Sequence, residues 1–142
     1  MPITVSDTID APISDVWAII SDYAGLKRWH PMLVRCETTG EGEGAVRTVY
    51  FDDWWAAERL DRLDKDAHLL AYSVTDSDRK INIGATGQMK LFDIDGKSTR
   101  LDWTSGLKDD HPDAAAVNGA LKTYYPTRFN HLRAVLGLPT KD

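Results

Sequence analysis

Trp54-Trp55-Ala56-Ala57-Glu58-Arg59-Leu60 lies in the middle of the strand-forming part of the chain, and its alternation governs how the rest is read. Successive side chains on a strand point to opposite faces. One face is therefore Trp54, Ala56, Glu58, Leu60, and the other Trp55, Ala57, Arg59, Asp61. With the first face inward, a carboxylate sits among apolar neighbours. An unpaired buried charge is so costly that Glu58 then needs a partner, a ligand or a proton of its own. The second face also carries a large aromatic, so alternation by itself leaves the register open.

Outward from this strand, which runs from Trp54 to Asp61, similar segments follow one another: Val34 to Thr38, Val46 to Phe51, Leu69 to Thr75, Ile83 to Phe92 and Thr99 to Leu107. The turn signals Gly40-Glu41-Gly42-Glu43-Gly44 and Asp95-Gly96 separate them, and antiparallel hairpins are the economical connection. A first strand is expected where Ile3, Val5 and Ile9 alternate with Thr4, Ser6, Thr8 and Asp10, closed by Pro12. A short helix follows, with Ser14 as N-cap, Asp15 at the positive end of the dipole, and Val16, Ile19, Ile20 and Tyr23 at helical spacing up to Gly25. A second short helix holds Leu26 to Trp29 before Pro31. The longest helix is expected from Pro112, suited to a first helical position, to Gly137, a C-terminal cap, with Pro139 beyond. Val117, Leu121, Tyr124, Tyr125, Leu132 and Val135 make one stripe on it, with Arg128 near the middle. Pro126 deprives the Lys122 carbonyl of its bond and is expected to kink the helix beside the two tyrosines.

The chain's 142 residues suit one domain, residues 1–142, with a real core. Its 17 basic and 22 acidic residues give a net charge of −5, which argues against a nucleic-acid binder. Cys36 has no cysteine partner and reads as a core or strand residue rather than a nucleophile. The N-terminal segment lacks the charged and apolar regions of a signal peptide and no run of eighteen apolar residues occurs, so a cytoplasmic protein with no membrane insertion is expected. His30, His68, His111 and His131 have no spacing suited to a shared metal, and Gly40, Gly42 and Gly44 lack the helix that follows a phosphate-binding loop. No metal and no cofactor are expected. Asp109-Asp110-His111 reads as charge and a cap at the start of the last helix.

This order of elements resembles the helix-grip fold of the START, Bet v 1 and polyketide cyclase/dehydrase superfamily (SRPBCC). The residues that carry the likeness are Ile9-Asp10-Ala11-Pro12-Ile13-Ser14-Asp15-Val16-Trp17, Trp29-His30-Pro31, Gly44-Ala45-Val46-Arg47, and above all Glu58-Arg59-Leu60-Asp61-Arg62-Leu63-Asp64 with Leu70-Ala71-Tyr72-Ser73-Val74. The last two stretches look like the matching strands of plant abscisic-acid receptors. There the equivalent of Glu58 points into the hormone cavity and the equivalent of Tyr72 lines it, so the resemblance favours the inward reading of Glu58. It does not extend to the receptors' gate motif Ser-Gly-Leu-Pro-Ala, missing around Phe51-Asp52-Asp53, nor to their His-Arg-Leu latch, replaced near Ser77-Asp78-Arg79-Lys80-Ile81. The implied fold is α+β: a curved antiparallel sheet of about seven strands wrapped around the long C-terminal helix, with two short helices after the first strand.

Such a fold leaves a cavity between sheet and helix. Parity places Trp54, Ala56, Glu58 and Leu60 on its wall, with Leu70, Tyr72 and Val74 from the next strand. Leu101, Trp103 and Ser105 come from the last strand, and Leu121, Tyr124, Tyr125 and Arg128 from the helix. This lining suits a small hydrophobic, aromatic or polyketide-like ligand. A carboxylate desolvated among Trp and Leu suits proton transfer near neutral pH, which makes Glu58 the candidate acid or base. Tyr72 is positioned to donate to a carbonyl or enolate oxygen, and Arg128 to hold a carboxylate or a developing negative charge. Arg128 reads equally well as a snorkelling or structurally paired side chain. His30 is a second candidate acid/base group, or else a surface histidine. The two expected functions are a cofactor-independent cyclase, dehydratase or lyase and a non-catalytic carrier or sensor of a similar molecule, acting as a monomer or homodimer.

Overall fold

The computed structural model describes residues 2–108 and 110–141. Strand β1 (Ile3–Ile9) leads into helix α1 (Ile13–Ile20) and a 3₁₀ helix, Tyr23–Trp29. Then come β2 (Arg35–Thr39), β3 (Val46–Tyr50), β4 (Trp55–Asp64), β5 (Leu69–Ser77), a short 3₁₀ turn Lys80–Asn82, β6 (Thr86–Asp93), β7 (Thr99–Gly106) and helix α2 (Ala114–Val135). The seven strands form one antiparallel sheet in the order β1-β7-β6-β5-β4-β3-β2. Sequential hairpins build six of them, and β1 closes onto β7, so α2 lies against β1 and β7. This is the helix-grip arrangement expected from the sequence.

Several element boundaries differ from expectation for local reasons. Ser14 is not the N-cap: the Pro12 carbonyl already accepts from the amides of Asp15 and Val16, so α1 starts at Ile13 and Ser14 falls inside its first turn. The second short helix begins at Tyr23 and is 3₁₀ in character, with a break at Gly25. Residues 83–85 are not strand, because Lys80–Asn82 makes a turn first and Val74 exchanges bonds with Gly84 and Ala85. Helix α2 starts two residues after Pro112, and of the capping group Asp109-Asp110-His111 the first lies outside the described residues. Here His111 Nδ1 accepts from the Asp113 amide at 3.1 Å. At the other end Gly137, at φ +74°, closes the helix as expected. Leu138 bonds back to the Arg133 carbonyl and Gly137 to that of Ala134, the Schellman pattern. Helix α2 runs through Pro126 as a single element.

The core joins Ile9, Val16, Ile20, Leu60, Leu70, Leu101, Phe129 and Leu132, each nearly or wholly buried. At roughly 25 cal/mol per Å² of apolar surface removed from water, this packing is the main stabilising term. Two irregularities aim the strands. Between β4 and β5 the register slips at Ala57/Glu58, leaving Thr75 unpaired, and again at Leu60/Arg62, leaving Asp61 unpaired. The first slip turns Ser77 inward, where its hydroxyl donates to the Trp55 carbonyl at 2.7 Å. Gly106, at φ +132°, ends β7 against α2: a side chain there would strike Asn118, whose amide both accepts from and donates to the backbone of Leu107. Among the described residues no helix is long and apolar enough to cross a membrane.

Candidate functional site

Between the inner face of the sheet and α2 lies a cavity of about 530 Å³. Of the expected lining, Trp54, Ala56, Glu58, Tyr72, Val74, Trp103, Ser105, Leu121, Tyr124, Tyr125, Arg128 and His30 border it. Leu60, Leu70 and Leu101 do not: they share the inward parity, but at 1 %, 0 % and 0 % exposure they are packed into the core.

On the sheet wall, Glu58 stands directly opposite Arg47 on β3. The Arg47 Nε donates to Glu58 Oε1 at 2.8 Å, so the carboxylate expected to be desolvated among apolar groups is instead ion-paired, with Arg47 and not Arg128. Arg47 is buried, lies 3.9 Å over the ring of Tyr23, and donates from Nη1 to the Tyr23 carbonyl at 3.3 Å. The Tyr23 hydroxyl in turn donates to the Glu58 backbone carbonyl at 2.9 Å. Burial works most strongly against the Arg47 cation, but Glu58, Tyr23 and Tyr72 together outweigh it and raise the pKa overall. Glu58 Oε2 makes no hydrogen bond among the described residues. Arg47 went unassigned in the sequence because the segment around β3 carries apolar residues on both faces: Ala45, Val49 and Phe51 alternate with Val46 and Tyr50. The signal available was the need of Glu58 for a partner.

The floor of the cavity is aromatic. Tyr72 faces Gly87 across the β5–β6 pair, and any Cβ at Gly87 would run into its ring. Glycine there lets the ring lie flat over the strand, with the hydroxyl accepting from Trp103 Nε1 at 3.3 Å. Burial and then the Glu58 charge push the Tyr72 phenol up to about 12, which keeps it protonated and a donor. Trp103 stacks on Tyr125 at 4.3 Å between ring centroids.

On the helix wall, Leu121, Tyr124, Tyr125 and Arg128 come to one face through i, i+3 and i+4 spacing. Arg128 is 1 % exposed, packs its guanidinium 4.3 Å over the Trp29 ring, and uses Nη1 on the Trp29 carbonyl at 2.7 Å and on His131 Nδ1 at 2.9 Å. Burial lowers its pKa to about 10, so it stays a cation at neutral pH. It neither snorkels to solvent nor pairs with a carboxylate among the described residues. His30 is not a surface residue: it is buried, with Nε2 2.9 Å from the Tyr124 hydroxyl. Burial first, then the charge of Arg128, the neighbouring His131 and Arg47, depress its pKa to about 3. The expectation that its charge changes near neutral pH is therefore overturned. At the mouth, Phe51 stacks on Trp54 at 4.2 Å, and Arg79, paired with Asp53 at 3.0 Å, lies 5.0 Å from the Trp54 ring. Among the described residues no three His, Cys, Asp or Glu side chains group as metal ligands.

The abscisic acid receptor PYL7 of Arabidopsis thaliana is 28 % identical to this chain over 107 residues, 71 % of this chain and 51 % of that protein. The chain thus spans about half the length of that relative. Among solved structures, a protein from Thermobifida fusca superimposes with a TM-score of 0.81 at 23 % identity, covering 99 % of this chain and 97 % of the other. Norcoclaurine synthase from Thalictrum flavum, in complex with dopamine and hydroxybenzaldehyde, gives 0.75 at 14 % identity, covering 99 % and 89 %. Ara h 8.0201 gives 0.75 at 19 %, covering 96 % and 98 %. These likenesses show the Bet v 1 fold. The family model described as polyketide cyclase/dehydrase and lipid transport matches residues 2–137, and the chain belongs to that family.

Proposed function

We propose that this protein binds a small hydrophobic, aromatic or polyketide-like molecule in the cavity and performs cofactor-independent acid/base chemistry on it, of the cyclase, dehydratase or lyase type. The observation that carries the reading is a carboxylate, Glu58, bordering a mostly apolar cavity with aromatic side chains in its wall, with one of its oxygens unengaged. In this reading Glu58 Oε2 takes the proton, and Arg47 holds the carboxylate in place from the other oxygen. Tyr72, its lone pair occupied by Trp103, keeps its own proton to donate to the carbonyl or enolate oxygen that gains charge. Arg128 supplies positive charge from the helix side. Neutral His30 acts only as a positioning residue for Tyr124. The protein would work in the cytoplasm, as a monomer or homodimer.

A non-catalytic carrier or sensor is the second reading. The Arg47–Glu58 pair favours it, because a carboxylate held by a buried guanidinium also has a purely structural role as its counter-charge. The similarity to an abscisic acid receptor leans the same way. A thermal-shift screen at pH 6 and pH 8 against flat aromatic, phenolic and polycyclic compounds, with each hit incubated and examined by mass spectrometry, separates the two. Stabilisation with a changed product mass or retention time is expected. Glu58→Gln should then abolish turnover while keeping affinity within about tenfold, or 1.4 kcal/mol. Stabilisation without conversion leaves the carrier, and the lack of any hit overturns both.

A further inference from the structure

Three arginines are buried among the described residues: Arg47, Arg128 and Arg133. Two of them have a carboxylate. Arg47 meets Glu58 at 2.8 Å, and Arg133 meets Asp7 at 2.6 Å, where Lys141 also reaches the other Asp7 oxygen at 2.9 Å. Arg128, the most deeply buried of the three, has none within ion-pair distance among the described residues. Its Nη1 serves both Trp29 and His131, while its Nη2 is buried without any partner. Close by, His30 is neutral, and its Nδ1 is buried without a partner as well. A buried charged donor left unmet is among the costliest features a fold can carry.

Arg128 lines the cavity together with three other charged side chains, Arg47, Glu58 and Arg79. Glu58 is spent on Arg47, and at the mouth Arg79 has its own carboxylate in Asp53. Among the described residues the cavity thus keeps one positive charge without a counter-charge, on its helix wall. A guanidinium offers a carboxylate two parallel charge-assisted bonds, the pairing this side chain makes best. Tyr124 lies one helical turn before Arg128 on the same face, its hydroxyl 2.9 Å from His30 Nε2.

We infer that the molecule this cavity takes is an anion, a flat apolar or aromatic compound carrying one carboxylate that binds Arg128 through Nη2 while its rings lie along Trp103 and Tyr125. The inference rests on the cavity being a ligand site, as proposed above, and narrows the class of ligand. Neutral aromatics of the same outline bind more weakly, because they leave the guanidinium unmet.

The test uses 2-naphthoate, biphenyl-4-carboxylate and 9-anthroate, each matched with its own primary amide, titrated calorimetrically into the full chain at pH 7.5. The acid of a pair is expected to bind at least tenfold more tightly than the amide, about 1.4 kcal/mol. Arg128→Gln should erase that preference, and Arg128→Lys should keep part of it. Equal binding of acid and amide overturns the anion assignment and leaves the ligand cavity standing. Failure of every acid and amide to bind overturns the cavity reading and this inference with it. If Arg128→Gln does not fold, the spectrum of arginine side chains labelled with nitrogen-15 decides on the native chain. One buried Nε–H resonance should move with the acid and stay with the amide, and no such movement overturns the assignment.

Discussion

The two walls of the cavity each bury an arginine and treat it differently. On the sheet wall Arg47 faces Glu58 across one strand pair, stacks over the Tyr23 ring, and is electrically complete. On the helix wall Arg128 rests on Trp29, bonds to a carbonyl and a neutral histidine nitrogen, and has no counter-charge among the described residues. A sheet can answer a charge with a directly opposed residue on the next strand. A helix face over a cavity has no opposed neighbour, so its charge is left for whatever occupies the space. The difference separates a wall that is finished by folding from one that folding leaves open.

The sharpest way to break this contrast is to remove the counter-charge from the finished wall. Glu58→Leu strands a buried guanidinium and should cost about 3–5 kcal/mol of unfolding free energy, read by urea denaturation at pH 7. Arg128→Met, which removes a charge with no counter-charge among the described residues and keeps much of the packing on Trp29, should cost clearly less, about 2 kcal/mol or below. A larger loss for Arg128→Met than for Glu58→Leu would erase the distinction between the walls.

Acid should act on the helix wall next. The folded-state pKa of His30 is depressed from 6.5 to about 3, so between those values the unfolded chain binds a proton that the folded chain refuses. Stability is therefore full above pH 6.5 and falls as the pH drops towards 3, by a few kcal/mol in all. His131, lowered by burial and by Arg128, adds to the same slope. His30→Gln, which can still bond the Tyr124 hydroxyl, should flatten the pH dependence over that window in urea titrations. An unchanged slope would mean that the helix wall tolerates a second cation and is less crowded with positive charge than its geometry indicates.

Much of this arrangement was legible in the chain. Alternation in 54–60 and 70–74, hairpin turns at 40–44 and 95–96, and a helical stripe ending at Gly137 led to the sheet and helix observed. Alternation states which face a residue takes but not how deep it lies along the strand. Leu60 and Leu70 share the parity of Glu58 and Tyr72, yet sit in solid core beyond the cavity's end. Arg47 was hidden because β3 looks apolar on both sides. The slips at Asp61 and Thr75 leave no mark in composition, because a bulge is a property of pairing and not of one strand. The burial of His30 depends on Phe51, Tyr124 and His131 arriving from distant segments, which local sequence does not report.

The sheet wall can also be tested through shape alone. Gly87→Ala places a methyl where the Tyr72 ring lies, and overpacking of this kind should cost about 1–3 kcal/mol by thermal or urea denaturation. The loss should shrink in the Gly87→Ala, Tyr72→Leu double variant, since the methyl then meets a smaller side chain. Purely additive losses would show that glycine is needed at that position for its backbone and not for Tyr72.

The smallest effect is expected at the mouth, where Arg79 sets the comparison's lower bound. Its partner Asp53 is 74 % exposed and Arg79 itself 48 %, so water and salt screen the pair, and Arg79→Ala should change stability by no more than about 1 kcal/mol. Because Arg79 also borders the cavity, the same variant measures what a solvated cation contributes to an incoming acid. At about 0.15 M salt the screening length is about 8 Å, so the weakening of 2-naphthoate binding should stay below about threefold and vanish as salt rises. Arg128→Gln should weaken the same acid at least tenfold with little dependence on salt, because a buried charge is not reached by the ions that screen Arg79. If the two variants lose affinity equally, and both losses disappear in salt, the positive charge that matters lies at the entrance and not on the helix wall.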